Sequence, residues 1–272
     1  MHELFKHYHH LMDLLQAAIN ASLQAGKGIL QVYSRDFTIE FKHDNSPLTE
    51  ADKLSHEIIK KILEPTNIPV LSEEGKEIPF EERKTWSTFW LIDPIDGTKE
   101  FIKKNGEFTV NIALIKNGAP VLGVVYVPVT GGLYFGEADN GSYYIEVNDA
   151  DNAEDIIRTA EKLPLHQTQV VYTIVASRSH NGPDTELFIE ERKKIHGEIN
   201  IISAGSSIKL CLVAEGKASV YPRLAPTMEW DTAAGHAVAK FAGCAVYNYG
   251  SKKELVYNKE NLLNPWFVVE RI

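Results

Sequence analysis

Apolar residues recur at helical spacing over residues 4–33, where Leu11, Leu14, Leu15, Ala18 and Leu23 share one face. The pattern predicts a long amphipathic helix, weakened near its end by Gly26 and Gly28. Alternation over residues 37–42 reads as a strand, and a polar turn follows over residues 43–47. Helical spacing returns in LTEADKLSHEIIKKILEP through Ala51, Leu54, Ile58, Ile59 and Ile62, and Pro65 stops it; Thr49 and Asp52 are spaced as a capping pair. Residues 68–71 are a short apolar strand ending in Ser72-Glu73-Glu74-Gly75, and a second apolar run leads into WLIDPIDGTKE at residues 90–100.

A short helix is expected over residues 99–104, closed by Asn105-Gly106. Two long strands, residues 108–116 and 119–128, flank Asn117-Gly118, a strong hairpin signal. Gly131-Gly132 opens another hairpin, residues 133–135 with 143–147, turned by Asn140-Gly141. Residues 148–168 are polar without clear periodicity, which places a boundary between two halves there, residues 1–150 and 151–272. The second half alternates strands and helices. A strand at 170–176 leads to Ser177-Arg178-Ser179-His180, a helix spans 185–195, and a strand at 199–203 leads to Gly205-Ser206-Ser207. A helix from about residue 208 stops at Gly216, a strand at 218–221 leads to Arg223, and Trp230-Asp231 opens an Ala-rich helix over 232–242. Val246 and Val268 mark closing strands. Polar groups thus recur at strand ends, where an open α/β sheet binds ligands.

Composition narrows the function classes. With 44% apolar and 24% charged residues in 272, the chain is long enough for a large core, as one unit or two packed halves. A net charge of −9 with scattered basic residues argues against a nucleic-acid-binding face, so an anionic substrate must be met by local positive charge or by metal ions. Cys211 and Cys244 lie in apolar stretches and read as buried, reduced thiols of a reducing compartment. The N-terminal stretch lacks the apolar core and cleavage pattern of a signal peptide, and no run approaches the roughly twenty apolar residues of a membrane span. A cytoplasmic location follows, either free or peripheral at the inner face of the membrane; the oligomeric state is not legible. His7, His9 and His10 lack strand context and read as a solvated helix face.

Candidate chemistry centres on Asp93 and Asp96. Asp-Pro-x-Asp-Gly alone is more often a turn than a site. Yet Glu73, Asp93, Asp96 and Asp231 all stand at strand ends or a helix start, and carboxylates packed together raise their own pKa values unless cations join them. No Cys or His accompanies them, so the oxygen-only set suits Mg²⁺ rather than Zn²⁺. Asp231 directly before a helix also fits a conventional N-cap. Ser206 with Lys209 one turn on reads either as an anion site or as a capping serine beside a surface lysine. Arg223 has the geometry for a bidentate phosphate contact, and His180 is too isolated to interpret unaided.

WLIDPIDGT at residues 90–98 and WDTAAGHAV at 230–238 resemble the two signatures of the inositol monophosphatase superfamily. Within it, KEFIKKNGEFTVNIALI after the first signature, SRSH at 177–180, GSSIKLCLVAEG at 205–216 and YPR at 221–223 are similar to the 3′(2′),5′-bisphosphate nucleotidases of the CysQ type. The match runs from SPLTEAD at 46–52 to LNPWF at 263–267.

The resemblance implies an α/β fold, a layered αβαβα sandwich whose first half carries most of the metal site. The second half would carry the nucleotide-binding residues and the last metal ligand. It implies a Mg²⁺-dependent phosphatase, with two or three ions, that removes the 3′-phosphate of adenosine 3′,5′-bisphosphate by in-line displacement with water and is inhibited by Li⁺. Glu73, Asp93, the Ile95 carbonyl, Asp96 and Asp231 would be metal ligands. Thr98, held by Asp52, would help Glu73 activate water. The N–H groups of Gly97 and Thr98 would receive the phosphate, and His180, Ser206, Lys209 and Arg223 would contact the nucleotide and its other phosphate. A small nucleotide bisphosphate would be the substrate, with no nucleic-acid partner. An inositol or other sugar-alcohol monophosphatase, and a non-catalytic nucleotide or metal sensor, are the competing readings.

Overall fold

A computed structural model describes residues 2–42, 47–148, 151–166, 171–177 and 182–272, with side chains from residue 11 onward in the first helix. His180, Arg178 and Ser179 lie outside the described residues, as do the side chains of His7, His9 and His10.

The expected long helix is α1 (His2–Tyr33), followed by the small antiparallel pair β1 (Ile39–Phe41) and β2 (Pro47–Thr49). Helix α2 (Glu50–Leu63) starts with a complete capping box: the Thr49 side chain accepts from the Ala51 N–H, and Asp52 accepts from the Thr49 N–H. Then come β3 (Val70–Ser72), α3 (Phe80–Arg83), β4 (Thr88–Asp96) and α4 (Thr98–Ile102). Strands β5 (Thr109–Lys116) and β6 (Ala119–Val127) form the expected hairpin. Asn117 and Gly118 both take positive φ, 52° and 77°, as its tight turn requires. A second hairpin pairs β7 (Gly132–Glu137) with β8 (Gly141–Glu146).

The polar stretch after residue 148 is not structureless. It holds α5 (Ala153–Thr159) and β9 (Glu161–Lys162), and β9 pairs with β8, so the first sheet continues past residue 150. Elements this short leave no periodicity to detect. The seven strands stand in the order β3-β4-β5-β6-β7-β8-β9. One face of this sheet carries α1 and α2, where Leu15, Ile19, Ile59, Trp90 and Ile112 are buried together. Each such side chain, fully buried, stabilises the fold by roughly 1.5–3 kcal/mol.

The second sheet contains β10 (Tyr172–Ser177), β11 (Ile199–Ala204), β12 (Val220–Arg223), β13 (Cys244–Asn248) and β14 (Phe267–Arg271) in the order β11-β10-β12-β14-β13. Its outer face packs on α6 (Pro183–His196) through Phe188, Ile174 and Val220. Between the sheets lie α7 (Ile208–Glu215) and α8 (Ala233–Phe241), whose Ala214, Ala233, Ala234 and Ala239, with Cys211 and Cys244, join one apolar cluster. The layers therefore run α/β/α/β/α. Helix α8 lies directly on β6 because Gly123 has no side chain: a Cβ there would come within 2.4 Å of the Ala234 carbonyl. That close approach carries the start of α8, and Asp231 before it, to the end of β4.

Candidate active site

Strand β3 runs parallel to β4, pairing Ser72 with Ile92, and the Glu73 N–H donates to the Ile92 carbonyl at 3.2 Å. Glu73 is thus set beside Asp93. Asp93 to Asp96 is no free turn after the strand, since Asp93 pairs with Asn111 and Asp96 with Thr109 across a register shift. A β-bulge of this kind bends the strand and re-aims its side chains. Glu73, Asp93 and Asp231 each bring one carboxylate oxygen within 4.8 Å of the others. Asp231 does not cap α8: Thr232 holds the cap position, and Asp231 Oδ2 turns back to accept from the Met228 N–H at 2.8 Å.

Electrostatics mark this cluster as short of positive charge. Burial, then Glu73, Asp96 and Asp231, push the Asp93 carboxyl well above its ordinary range. Asp231 is raised likewise, by burial first and then by Asp96 and Glu73. Burial raises Glu73 too, against the pull of Lys42, whose Nζ lies 2.7 Å from Glu73 Oε1. Crowded oxygen donors with no nitrogen or sulfur among them fit a hard divalent cation.

Asp96 lines the same cavity but lies outside that group of mutually close oxygens. Its Oδ2 accepts from Ser207 Oγ at 2.8 Å and from Asn111 Nδ2 at 3.4 Å. The Thr98 hydroxyl is within hydrogen-bonding range of Asp52 Oδ1 at 3.2 Å and of the Ile95 carbonyl at 3.4 Å. Both halves of the Thr49–Asp52 reading are therefore present, a helix cap and a grip on Thr98. Burial raises Asp52, while the bonds from Thr49 and Thr98 draw it back down. Gly97 has φ 95° and ψ 41°, and a Cβ on it would stand 3.3 Å from both the Glu107 carbonyl and Ser206 Cβ.

The cavity, about 370 Å³, extends from the carboxylates to Lys209 and Arg223. Lys209 is buried, not a surface lysine: its Nζ donates to the Ser206 carbonyl at 2.6 Å and sits 5.6 Å over the Tyr221 ring. Burial pulls its ammonium down to about 8, with Asp96 opposing and Arg223 adding to the shift. Ser206 takes φ 47°, and its Oγ lies 2.7 Å from Thr109 Oγ1 instead of capping α7. Arg223 Nη2 donates to the Pro226 carbonyl at 2.9 Å; its Nε is buried without a hydrogen-bond partner among the described residues.

Sequence reasoning missed Lys42, Asn111, Ser207 and Tyr221. Asn111 did leave a signal, a lone amide inside the apolar run TVNIALI. Lys42 left none, because only the fold brings it to Glu73.

The profile of the inositol monophosphatase family matches residues 10–267, and the chain belongs to that family. It is 43% identical over 260 residues to CysQ, a 3′(2′),5′-bisphosphate nucleotidase from Salmonella typhimurium, covering 94% of this chain and 99% of the relative. The CysQ of Escherichia coli K12 is 42% identical over 261 residues, with the same coverage. The crystal structure of CysQ from Bacteroides thetaiotaomicron matches with a TM-score of 0.88 at 53% identity, over 96% of this chain and 97% of that one. An inositol monophosphatase from Thermotoga maritima, 22% identical with a TM-score of 0.72 over 95% of this chain and 92% of its own, shares the fold.

Proposed function

We infer that the chain is a 3′(2′),5′-bisphosphate nucleotidase that removes the 3′-phosphate of adenosine 3′,5′-bisphosphate, giving AMP and phosphate. One observation carries the reading beyond the family: the cavity has an acidic end at Glu73, Asp93 and Asp231 and a cationic end at Lys209 and Arg223. A substrate with two phosphates has a use for both ends, whereas a monophosphate needs only the first.

We assign Glu73, Asp93, the Ile95 carbonyl, Asp96 and Asp231 to hold Mg²⁺, two or three ions in all. Bound there, the cations supply positive charge that lowers the pKa of water and stabilises the leaving 3′-oxygen. Thr98, oriented by Asp52, positions the attacking water, and the Glu73 carboxylate takes its proton. The backbone N–H groups of Gly97 and Thr98, at the start of α4, receive the phosphate that is transferred. Water oxygen bonds to phosphorus as the bond to the 3′-oxygen breaks, and that oxygen leaves as an alkoxide that takes a proton from solvent water to become the 3′-hydroxyl of AMP. Ser206, Lys209 and Arg223 hold the nucleotide and its 5′-phosphate, and His180 is assigned to the same task. On this assignment residues 1–150 bring most of the metal ligands, and residues 151–272 bring Asp231 and the nucleotide contacts.

The substrate is a small nucleotide bisphosphate, and we place the enzyme in the cytoplasm, in keeping with the buried free thiols of Cys211 and Cys244. No helix among the described residues is long and apolar enough to cross a membrane. Phosphate release from adenosine 3′,5′-bisphosphate and from inositol 1-phosphate, each with Mg²⁺, tests the reading. Turnover of the first well above the second is expected; the reverse order would overturn it in favour of a sugar-alcohol monophosphatase.

A further inference from the structure

His236 is a fully buried imidazole one turn inside α8, and the proposed chemistry makes no use of it. Its Nδ1 is hydrogen-bonded to the Tyr257 hydroxyl at 2.9 Å, and that hydroxyl donates to Thr232 Oγ1 at 3.4 Å. The Thr232 hydroxyl donates in turn to the Glu229 carbonyl at 3.1 Å. A hydroxyl has a single proton to give. The tautomer of His236 decides which partner donates across the first contact, and in either case the Tyr257 hydroxyl stands between the ring and Thr232. The contacts run from the ring through Tyr257 and Thr232 to the turn of residues 229–232, and such chains reinforce one another in a dry interior. Behind the ring, Nε2 lies 3.2 Å from Glu254 Oε1, an ion-pair distance misaligned for a full hydrogen bond.

The turn at the end of this chain carries Asp231. It is gripped from behind by the loop that Tyr257 begins. Asn264 Nδ2 donates to the Met228 carbonyl at 2.7 Å and to Thr232 Oγ1 at 3.0 Å. The buried Glu229 carboxylate accepts from the backbone N–H groups of Asn258 and Lys259 at 2.6 and 3.0 Å. Packing alone gives no reason for a histidine and a tyrosine hydroxyl in the middle of an Ala-rich apolar layer. Burying them is costly unless their hydrogen bonds are needed.

We propose that His236 and Tyr257 are positioning residues: through the Thr232 hydroxyl they fix the turn that aims the Asp231 carboxylate at Glu73 and Asp93. Neither touches substrate. The inference rests on Asp231 being a metal ligand, as assigned above.

Mn²⁺ binding to the metal-free protein, read from the loss of the free-ion electron paramagnetic resonance signal, tests it. Asp231→Asn is the reference and removes the tightest binding. Tyr257→Phe deletes one hydroxyl at nearly constant volume; it weakens Mn²⁺ binding about fivefold, with an unchanged circular dichroism spectrum. His236→Asn, which keeps a polar group near Nδ1, binds Mn²⁺ more tightly than His236→Leu, which keeps volume but no hydrogen bond. Unchanged affinity in Tyr257→Phe, or His236→Leu binding better than His236→Asn, overturns the positioning role. Unchanged affinity in Asp231→Asn overturns the ligand assignment on which that role rests.

Discussion

The Thr98 hydroxyl lies 3.2 Å from Asp52 Oδ1, within hydrogen-bonding range, while the other oxygen of the same carboxylate accepts from the Thr49 N–H at 2.7 Å and closes the capping box of α2. One buried carboxylate thus ties a helix start to the proposed nucleophile-activating hydroxyl. Thr98→Ala is expected to lower kcat by about 10²–10³-fold with little change in KM, in line with the loss of the hydroxyl that positions the attacking water. Asp52→Ala loses similar activity and, in addition, roughly 0.5–2 kcal/mol of stability with the cap. Steady-state kinetics and urea unfolding of both variants separate the two roles.

The acidic cluster makes a pH prediction for the metal-free protein. Asp93, Asp231 and Glu73 all titrate above their ordinary range in the fold, chiefly because of burial. Between the ordinary carboxylate pKa of about 4 and those raised values, the folded chain binds more protons than the unfolded one. Stability without metal therefore falls as pH rises through that window. In EDTA the Tm is expected to fall as the pH rises from about 4 through the range in which the cluster loses its protons, and Mg²⁺ to oppose that fall by occupying the deprotonated cluster assigned above. Calorimetry over a pH series, with and without Mg²⁺, reads this directly.

Lys209 carries an opposite dependence. Burial brings its ammonium down to about 8, so above that pH it loses the charge proposed to face the second phosphate. KM for adenosine 3′,5′-bisphosphate is expected to rise through about pH 8, and Lys209→Gln to show the high KM at every pH. The same shift leaves the unfolded chain holding the extra proton between about 8 and 10.5, so stability without substrate rises across that range.

Gly97 is the backbone test of the proposed phosphate cradle. With φ at 95°, an L side chain is strained there by roughly 1–2 kcal/mol, and a Cβ would crowd Ser206 and the Glu107 carbonyl at 3.3 Å. Gly97→Ala is expected to lose that much stability in chemical denaturation and most of its turnover, through displaced N–H groups. Gly243→Ala also has a positive φ, 83°, but no atom near its Cβ; it should cost stability and leave kcat unchanged.

Most elements were readable from local pattern. Leu11, Leu14, Leu15 and Ala18 repeat with the helix period, Asn117-Gly118 demands positive φ, and Thr49 with Asp52 forms its cap within four residues, so no distant partner is needed to predict them. Where local pattern was thin, the reading fell short. Strand β9 has two residues, and the bulge that keeps Asp93 to Asp96 inside β4 is a property of its pairing with β5. Asp231 illustrates the same limit: position before a helix predicts a cap, yet its carboxylate turns back to Met228.

The chain's own order of residues was enough to single out Glu73, Asp93, Asp96, Asp231, Lys209 and Arg223 as candidates, because each stands at the end of a strand or the start of a helix that local pattern predicts. Their assembly is another matter. Glu73 reaches Asp93 through parallel pairing of β3 with β4, and Asp231 reaches both because Gly123 lets α8 lie flat on β6. Lys42 beside Glu73, Ser207 between Asp96 and the Asp231 carbonyl, and the burial that shifts Lys209 depend likewise on segments far apart in the chain. Sheet register and the packing of one layer on another decide such contacts. They arise from the whole core closing at once, and no window of neighbouring residues encodes them.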